Sequence, residues 1–195
     1  MRIFLETGRL VLRELTEADA DLIFELDNDP AVTRFINGGE PCSRDTVRDV
    51  TLPRLLRAYE WAPSRAFWAA EERSTGRFIG WFELRPLDQD GPGEVELGYR
   101  LHSWAWGRGL ATEGARALIH KAFTELGVRR VMAQTMAVNT GSRRVMEKSG
   151  LTYARTFYGD WPEAIEGSEH GEVEYALTRA DWLSSRPGEG RTHVW

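Results

Sequence analysis

Residues 94–114, EVELGYRLHSWAWGRGLATEG, constrain this chain more than any other stretch. Glu94 to Leu101 alternates polar and apolar side chains, the pattern of a half-buried strand. Two glycines, Gly107 and Gly109, follow. Then Ala111, Ala115, Leu118, Ile119, Ala122, Phe123 and Leu126 recur at helical spacing, with Gly127 placed to cap the end. A strand that turns over glycines into a helix presents free N–H groups and the positive end of a helix dipole at one point. Such a turn suits an anion, and a phosphate-bearing ligand is its natural occupant. The same glycines also fit a plain connector. The turn is neither of the common nucleotide loops. No GxxxxGK sequence is present, and the GxGxxG fingerprint fails at Thr112 and again at Asn139, where an acidic residue should end the next strand.

Around this unit the chain reads as one α/β domain. Arg9–Arg13 is a strand candidate, and Thr16 opens a helix with Asp19 as its capping-box partner. Asp29-Pro30 ends that helix. A second helical region runs from Ser43 toward Tyr59, broken near Pro53. Ala66–Glu72 and Arg77–Leu84 form a hairpin across Arg73-Ser74-Thr75-Gly76, and Asp88–Gly93 is a loop. Val128–Val138 is a strand, Asn139 caps a short helix that Gly150 ends, and Leu151–Thr156 and Glu172–Leu177 are the last strands. Residues 184–195 read as a frayed tail, which leaves a domain of residues 1–183. The order β-α-α-β-β-β-α-β-α-β-β implies a mixed α/β sheet with helices on both faces.

The chain has 195 residues, 25 Lys plus Arg and 30 Asp plus Glu, for a net charge of −5. That balance argues against a nucleic-acid partner held by phosphate neutralisation. One cysteine, Cys42, excludes an intramolecular disulfide framework and a multi-cysteine zinc site, and suits a cytoplasmic location. The four histidines show no metal spacing, and no run of 18 apolar residues suggests a membrane span.

Five segments in order resemble the GNAT N-acetyltransferases, and within them the Rim type that includes enzymes acting on ribosomal-protein N-termini. They are ETGRLVLREL at 6–15, DNDPAVTRFI at 27–36, the strand and glycine turn at 94–114, NTGSRRVMEKSGL at 139–151 and VEYALTRADW at 173–182. The resemblance implies a mixed, mostly antiparallel sheet of six to seven strands. It implies acetyl transfer from acetyl-CoA to an amine of a protein N-terminus or small molecule, by direct attack in a ternary complex, in a monomer or homodimer. No metal is implied. A non-catalytic acyl-CoA sensor of the same fold is the alternative.

The loop from Trp106 through Gly107, Arg108, Gly109, Leu110 and Ala111 to Thr112 would hold the pyrophosphate. Leu101 and His102 would pair with the pantetheine amides, Asn139 would bind that arm from the other side, Arg143 would reach a phosphate, and Ser142 would lie near the sulfur. Proton removal from the amine falls to a carboxylate. Glu96 is the first choice, with Glu94 and Glu83 behind it. Met146 stands where many GNAT enzymes carry a tyrosine acid, so Ser142 or water must serve the leaving thiolate. Trp61, Trp68, Trp81, Trp161, Phe157 and Tyr158 are candidates for the acceptor pocket. Asp160, Glu163, Glu166 and Glu169 make the loop before the last strand acidic, which suits a cationic acceptor or an ordinary solvated loop.

Overall fold

The computed structural model describes residues 2–61, 66–87, 93–159 and 164–185. Its eight strands are β1 (Ile3–Glu6), β2 (Leu10–Glu14), β3 (Phe67–Glu72), β4 (Arg77–Pro86), β5 (Glu94–Leu101), β6 (Arg130–Met136), β7 (Thr152–Phe157) and β8 (Glu172–Thr178). They form one sheet in the order β1-β2-β3-β4-β5-β6-β8-β7. Every neighbouring pair is antiparallel except β5 and β6. The class is as the sequence implies, with slightly more strands than six to seven. The additional one is β1, whose short IFLE segment carries little periodic signal.

The helices are α1 (Ala20–Asp27), α2 (Pro30–Asn37), α3 (Arg44–Thr46), α4 (Leu52–Trp61), α5 (Leu110–Thr124), α6 (Thr140–Lys148) and α7 (Arg179–Ser184). Asp29-Pro30 does end α1, but it also starts α2. Asp29 accepts a hydrogen bond from the Ala31 N–H at 3.0 Å, and Pro30 occupies a first-turn position where its missing N–H costs nothing. The break near Pro53 is a wide π turn over Val47–Thr51. The widened turn accommodates the proline ring, which would otherwise meet the carbonyl four residues back. Ser184 belongs to α7, while residues 186–195 and the 88–92 loop lie outside the described residues.

Two apolar clusters flank the sheet. On one face α5 buries Leu110, Ala115, Leu118, Ile119, Ala122 and Phe123 against Phe82, Leu84, Val95, Leu97 and Leu101. Gly114 is what lets α5 approach, since a Cβ there would lie 2.3 Å from the Phe82 ring. On the other face Ile23, Leu26, Val47 and Leu55 pack on Ala69, Phe78 and Trp81. A bulge at Ile79, where Ala70 pairs with Gly80 and Glu71 with Phe78, turns Phe78 and Trp81 to the same side.

The parallel β5–β6 pairing is short. It runs from Glu94–Arg130 to Glu96–Met132 and stops. β5 continues along β4 as far as Leu101, while β6 continues along β8 as far as Met136. The sheet therefore splits beyond Glu96, and the two halves diverge.

Candidate active site

The split opens into a cleft of about 650 Å³. Strand geometry decides what faces it. The His102 N–H donates to Ile79 at 2.9 Å, and the Leu87 N–H donates to Glu94 at 3.1 Å, so the even residues of β5 bond to β4. The backbone groups of Leu97, Tyr99 and Leu101 consequently point into the split. Side chains divide by the same parity. Tyr99 faces α5, whereas Glu96, Gly98 and Arg100 share a face with their β4 partners Arg85, Glu83 and Trp81.

At one end of the cleft lies the glycine loop. Gly107 (φ 72°) and Gly109 (φ 76°) adopt left-handed backbone, which asparagine or glycine tolerates best. No side chain caps α5, so the first-turn N–H groups after Gly109 are open to a ligand. An added Cβ at Gly107 would meet nothing within 4 Å, so the space over the loop is free. Glu113, in that first turn, does not oppose an anion. Burial would raise its carboxyl, but hydrogen bonds from Thr7 and Arg9 hold it below the ordinary range and turn it aside. Arg144 and Lys148 line the same cleft, and Arg9, Arg116 and Lys148 border a second hollow beside Gly109 and Thr112. The loop and these cations fit a diphosphate carrier.

Three carboxylates, Glu83, Glu96 and Glu172, gather elsewhere along it. Glu83 lies over Gly98, where a Cβ would come within 2.2 Å of its Oε1. Burial first, and then the Glu96 charge, pushes the Glu83 carboxyl from 4.5 up to about 7. It makes no hydrogen bond or ion pair among the described residues. Burial and Glu96 also raise Glu172. Glu96 itself is ion-paired with Arg85. Val32, Phe35 and Ile36 of α2 and Trp81 of β4 complete this part of the wall.

Between the ends, Asn139 caps α6 by accepting from the Ser142 N–H at 3.2 Å, and its amide donates to Thr135 Oγ1 at 3.0 Å. The Tyr99 hydroxyl reaches across to Ser142, 3.0 Å from its Oγ and 3.1 Å from its carbonyl oxygen.

Of the residues singled out from sequence, Glu96, Leu101, Trp106, Gly107, Gly109, Leu110, Ala111, Thr112, Asn139 and Ser142 line the cleft. His102, Arg108, Arg143 and Glu94 do not. His102 is buried, its ring stacked on Trp104 and edge-on to Phe78. Arg108 pairs with Glu72, Arg143 bonds the Tyr175 hydroxyl and the Ala137 carbonyl, and Glu94 pairs with Arg130. The Leu101 carbonyl accepts from the Trp106 indole at 2.9 Å, which leaves its N–H and one carbonyl lone pair for a ligand. Trp68 is fully buried against Phe4 and is core, while Tyr158 is exposed. Trp161, Asp160, Glu163 and the Trp61 side chain lie outside the described residues, Glu166 pairs with Arg34, and Glu169 sits 3.5 Å from His170. Sequence reasoning placed Glu96 ahead of Glu83, which lines the same cleft, and singled out neither Tyr99 nor α2, which line it too. The available signal was Gly98, an odd glycine in an otherwise regular strand.

Residues 9–152 match the acetyltransferase (GNAT) domain. FsC-acetyl coenzyme A-N(2)-transacetylase of Aspergillus fumigatus is 35% identical over 185 residues, covering 92% of this chain and 77% of that protein. The putative ribosomal N-acetyltransferase YdaF of Bacillus subtilis is 30% identical over 177 residues, covering 89% and 93%. RimL, a ribosomal alpha-N-protein acetyltransferase solved in complex with coenzyme A, shares the fold at a TM-score of 0.76 with 16% identity, over 91% of this chain and 98% of that one. The domain match spans most of the sequence and includes the loop, the split strands and α6, so the chain belongs to the GNAT acetyltransferase family and is an acyltransferase acting on amino groups.

Proposed function

We propose that this protein moves the acetyl group of acetyl-CoA to a primary amine, of a peptide N-terminus or a small molecule, by direct attack within one ternary complex. The observation that carries the reading is the polarity of the cleft. N–H groups and cations converge at one end, and a half-buried carboxyl at about 7, free of hydrogen bonds and ion pairs among the described residues, faces the other.

The N–H groups from Gly107 to Thr112 hold the pyrophosphate, with Arg144 and Lys148 adding positive charge. The β5 backbone groups at Leu97, Tyr99 and Leu101 pair with the pantetheine amides, as an added strand edge would. The acceptor enters from the α2 side, where Val32, Phe35, Ile36 and Trp81 receive its carbon body. Glu83 takes the amine proton. A free alkyl amine near 10.4 is almost wholly charged at neutrality, and a carboxylate titrating near 7 matches the task better than one held in an ion pair. A β5 N–H stabilises the carbonyl oxygen as charge builds on it. Ser142 donates a hydrogen bond to the departing sulfur.

The test is thiol release from acetyl-CoA in the presence of an amine panel that includes N-terminal peptides, diamines and aryl-alkyl amines. Amine-dependent release with a mass gain of one acetyl group supports the reading. Tight acetyl-CoA binding with no turnover across the panel refutes it in favour of the sensor.

A further inference from the structure

We propose that Tyr99 is a positioning residue that orients Ser142, so that the single Ser142 hydroxyl proton points at the leaving sulfur. The inference rests on the acetyl-transfer reading above and extends it to a group outside the glycine loop and α6.

The acyl carbon has to lie where the two ends of the cleft meet, within reach of Glu83, which packs on Gly98. The next residue, Tyr99, and Ser142 both line the cleft there, on the α5 side of the sheet. Tyr99 and Ser142 come from elements 43 residues apart and meet hydroxyl to hydroxyl at 3.0 Å. A serine hydroxyl has one proton. If Ser142 Oγ spends it on Tyr99, none faces the sulfur. If the phenol donates, sharing its one proton in a three-centre bond between Oγ at 3.0 Å and the Ser142 carbonyl oxygen at 3.1 Å, Oγ accepts and its own proton is free for the cleft. The phenol is well suited to donate. Burial pushes it up to about 12, so it keeps its proton throughout the working range, and a thiolate with a reference pKa near 8.5 does not remove it. Asn139 fixes the other side of Ser142 by accepting from its N–H. Met146, one turn further along α6, is 2% exposed and has no proton to give.

The bookkeeping closes without ionising either hydroxyl. The ammonium first passes one proton to Glu83, which releases it to solvent; the neutral amine nitrogen then bonds to the acyl carbon, and its second proton goes to Glu83. The carbon–sulfur bond breaks with its electron pair on sulfur, where the Ser142 O–H stabilises the growing charge. The thiolate takes a proton from solvent as it departs, and Glu83 returns one to solvent.

A double-mutant cycle on the full chain tests this, read as kcat at saturating acceptor, with the acetyl-CoA Kd measured by calorimetry. Tyr99→Phe alone is expected to lower kcat about tenfold, the value of one hydrogen bond, with Kd changed less than twofold. Ser142→Ala is expected to lower kcat by at least as much, and Ser142→Thr to retain most of it. The deciding comparison is Tyr99→Phe made in the Ser142→Ala background. It should change kcat less than twofold, because the group it positions is gone. A tenfold loss there as well, or wild-type kcat in Tyr99→Phe, overturns the proposal while leaving acetyl transfer intact. A wild type that binds acetyl-CoA and acetylates no amine overturns both.

Discussion

Glu83→Gln should make the protein less active and, at alkaline pH, more stable. Glu83 holds a carboxyl that burial and Glu96 push from 4.5 up to about 7. The folded chain therefore binds the Glu83 proton more tightly than the unfolded chain does. The stability that comes with this is complete below pH 4.5 and is lost as pH rises through 7. At about 1.4 kcal/mol per tenfold, the cost of the charge is roughly 3 kcal/mol at pH 8 and under ~1 kcal/mol at pH 5. Glutamine never ionises. Its amide brings a separate penalty for unpaired donors, but that penalty is the same at both pH values and cancels in the comparison. Relative to wild type, the variant should gain about 2.5 kcal/mol between pH 5 and pH 8, or some 5–10 °C in Tm for a domain of this size.

Activity should move the other way. In the wild type kcat/KM should rise through pH 7 and level off near pH 8, and Glu83→Gln should lose ~10²–10⁴ in rate together with that limb. Acceptor amines of different pKa separate the enzyme's limb from the substrate's, since only the latter moves with the amine. A Tm difference that is independent of pH, or a limb near 7 that survives in the variant, refutes the assignment of Glu83 as the base.

Glu96→Gln removes the like charge that helps to raise Glu83, so the limb of the pH–rate profile should shift toward acid rather than vanish. Gly98→Ala puts a Cβ against the Glu83 carboxylate and should reduce kcat at least ~10-fold, with acetyl-CoA affinity by calorimetry nearly unchanged. Gly109→Asp sets a negative charge and a strained left-handed residue in the anion loop, and should abolish detectable acetyl-CoA binding in the same calorimeter. Asp19→Ala removes a carboxylate that bonds Arg13 at 2.7 and 2.9 Å with both side chains nearly fully buried, leaves Arg13 with Glu71 at 2.6 Å, and should cost about 2–3 kcal/mol in urea melts.

The parts of this protein that a linear reading reaches are those whose signals are local. The alternation of Glu94–Leu101, the glycines at 107 and 109, and the apolar stripe of α5 each depend on neighbours within a few residues, and all lie where that reading put them. α2 escaped because a proline was taken as a stop when, with Asp29 before it, it is equally a start. What sets the carboxylates apart lies beyond a linear reading for a different reason. Glu83, Glu94 and Glu96 look alike in sequence. They differ in what lies across the sheet: glycine opposite Glu83, Arg85 opposite Glu96, and Arg130 beside Glu94. Register decides which carboxyl is ion-paired and which is not, and register is not a local property.

The same distinction bears on the residue that stands at position 146. Met146 is part of the apolar cluster under α5 and also borders the cleft. A buried hydroxyl placed there would need a hydrogen-bond partner of its own. Two hydroxyls that line the cleft come from the two sides of the split, Tyr99 on β5 and Ser142 one turn before Met146 on α6, and they meet at 3.0 Å. A missing side chain on one element therefore says little about the chemistry available in a site formed by two. Here the two elements meet only because β5 and β6 part after Met132. Lengthening that pairing would carry it from Leu97 and Ala133 toward the gap that Tyr99 spans. A Gln134→Val substitution, which adds a β-branched side chain to the open stretch of β6, is accordingly expected to narrow the cleft and weaken acetyl-CoA binding several-fold without lowering Tm. Unchanged affinity in that variant would show that the split is held open by the strands' divergence and not by the side chains that line it.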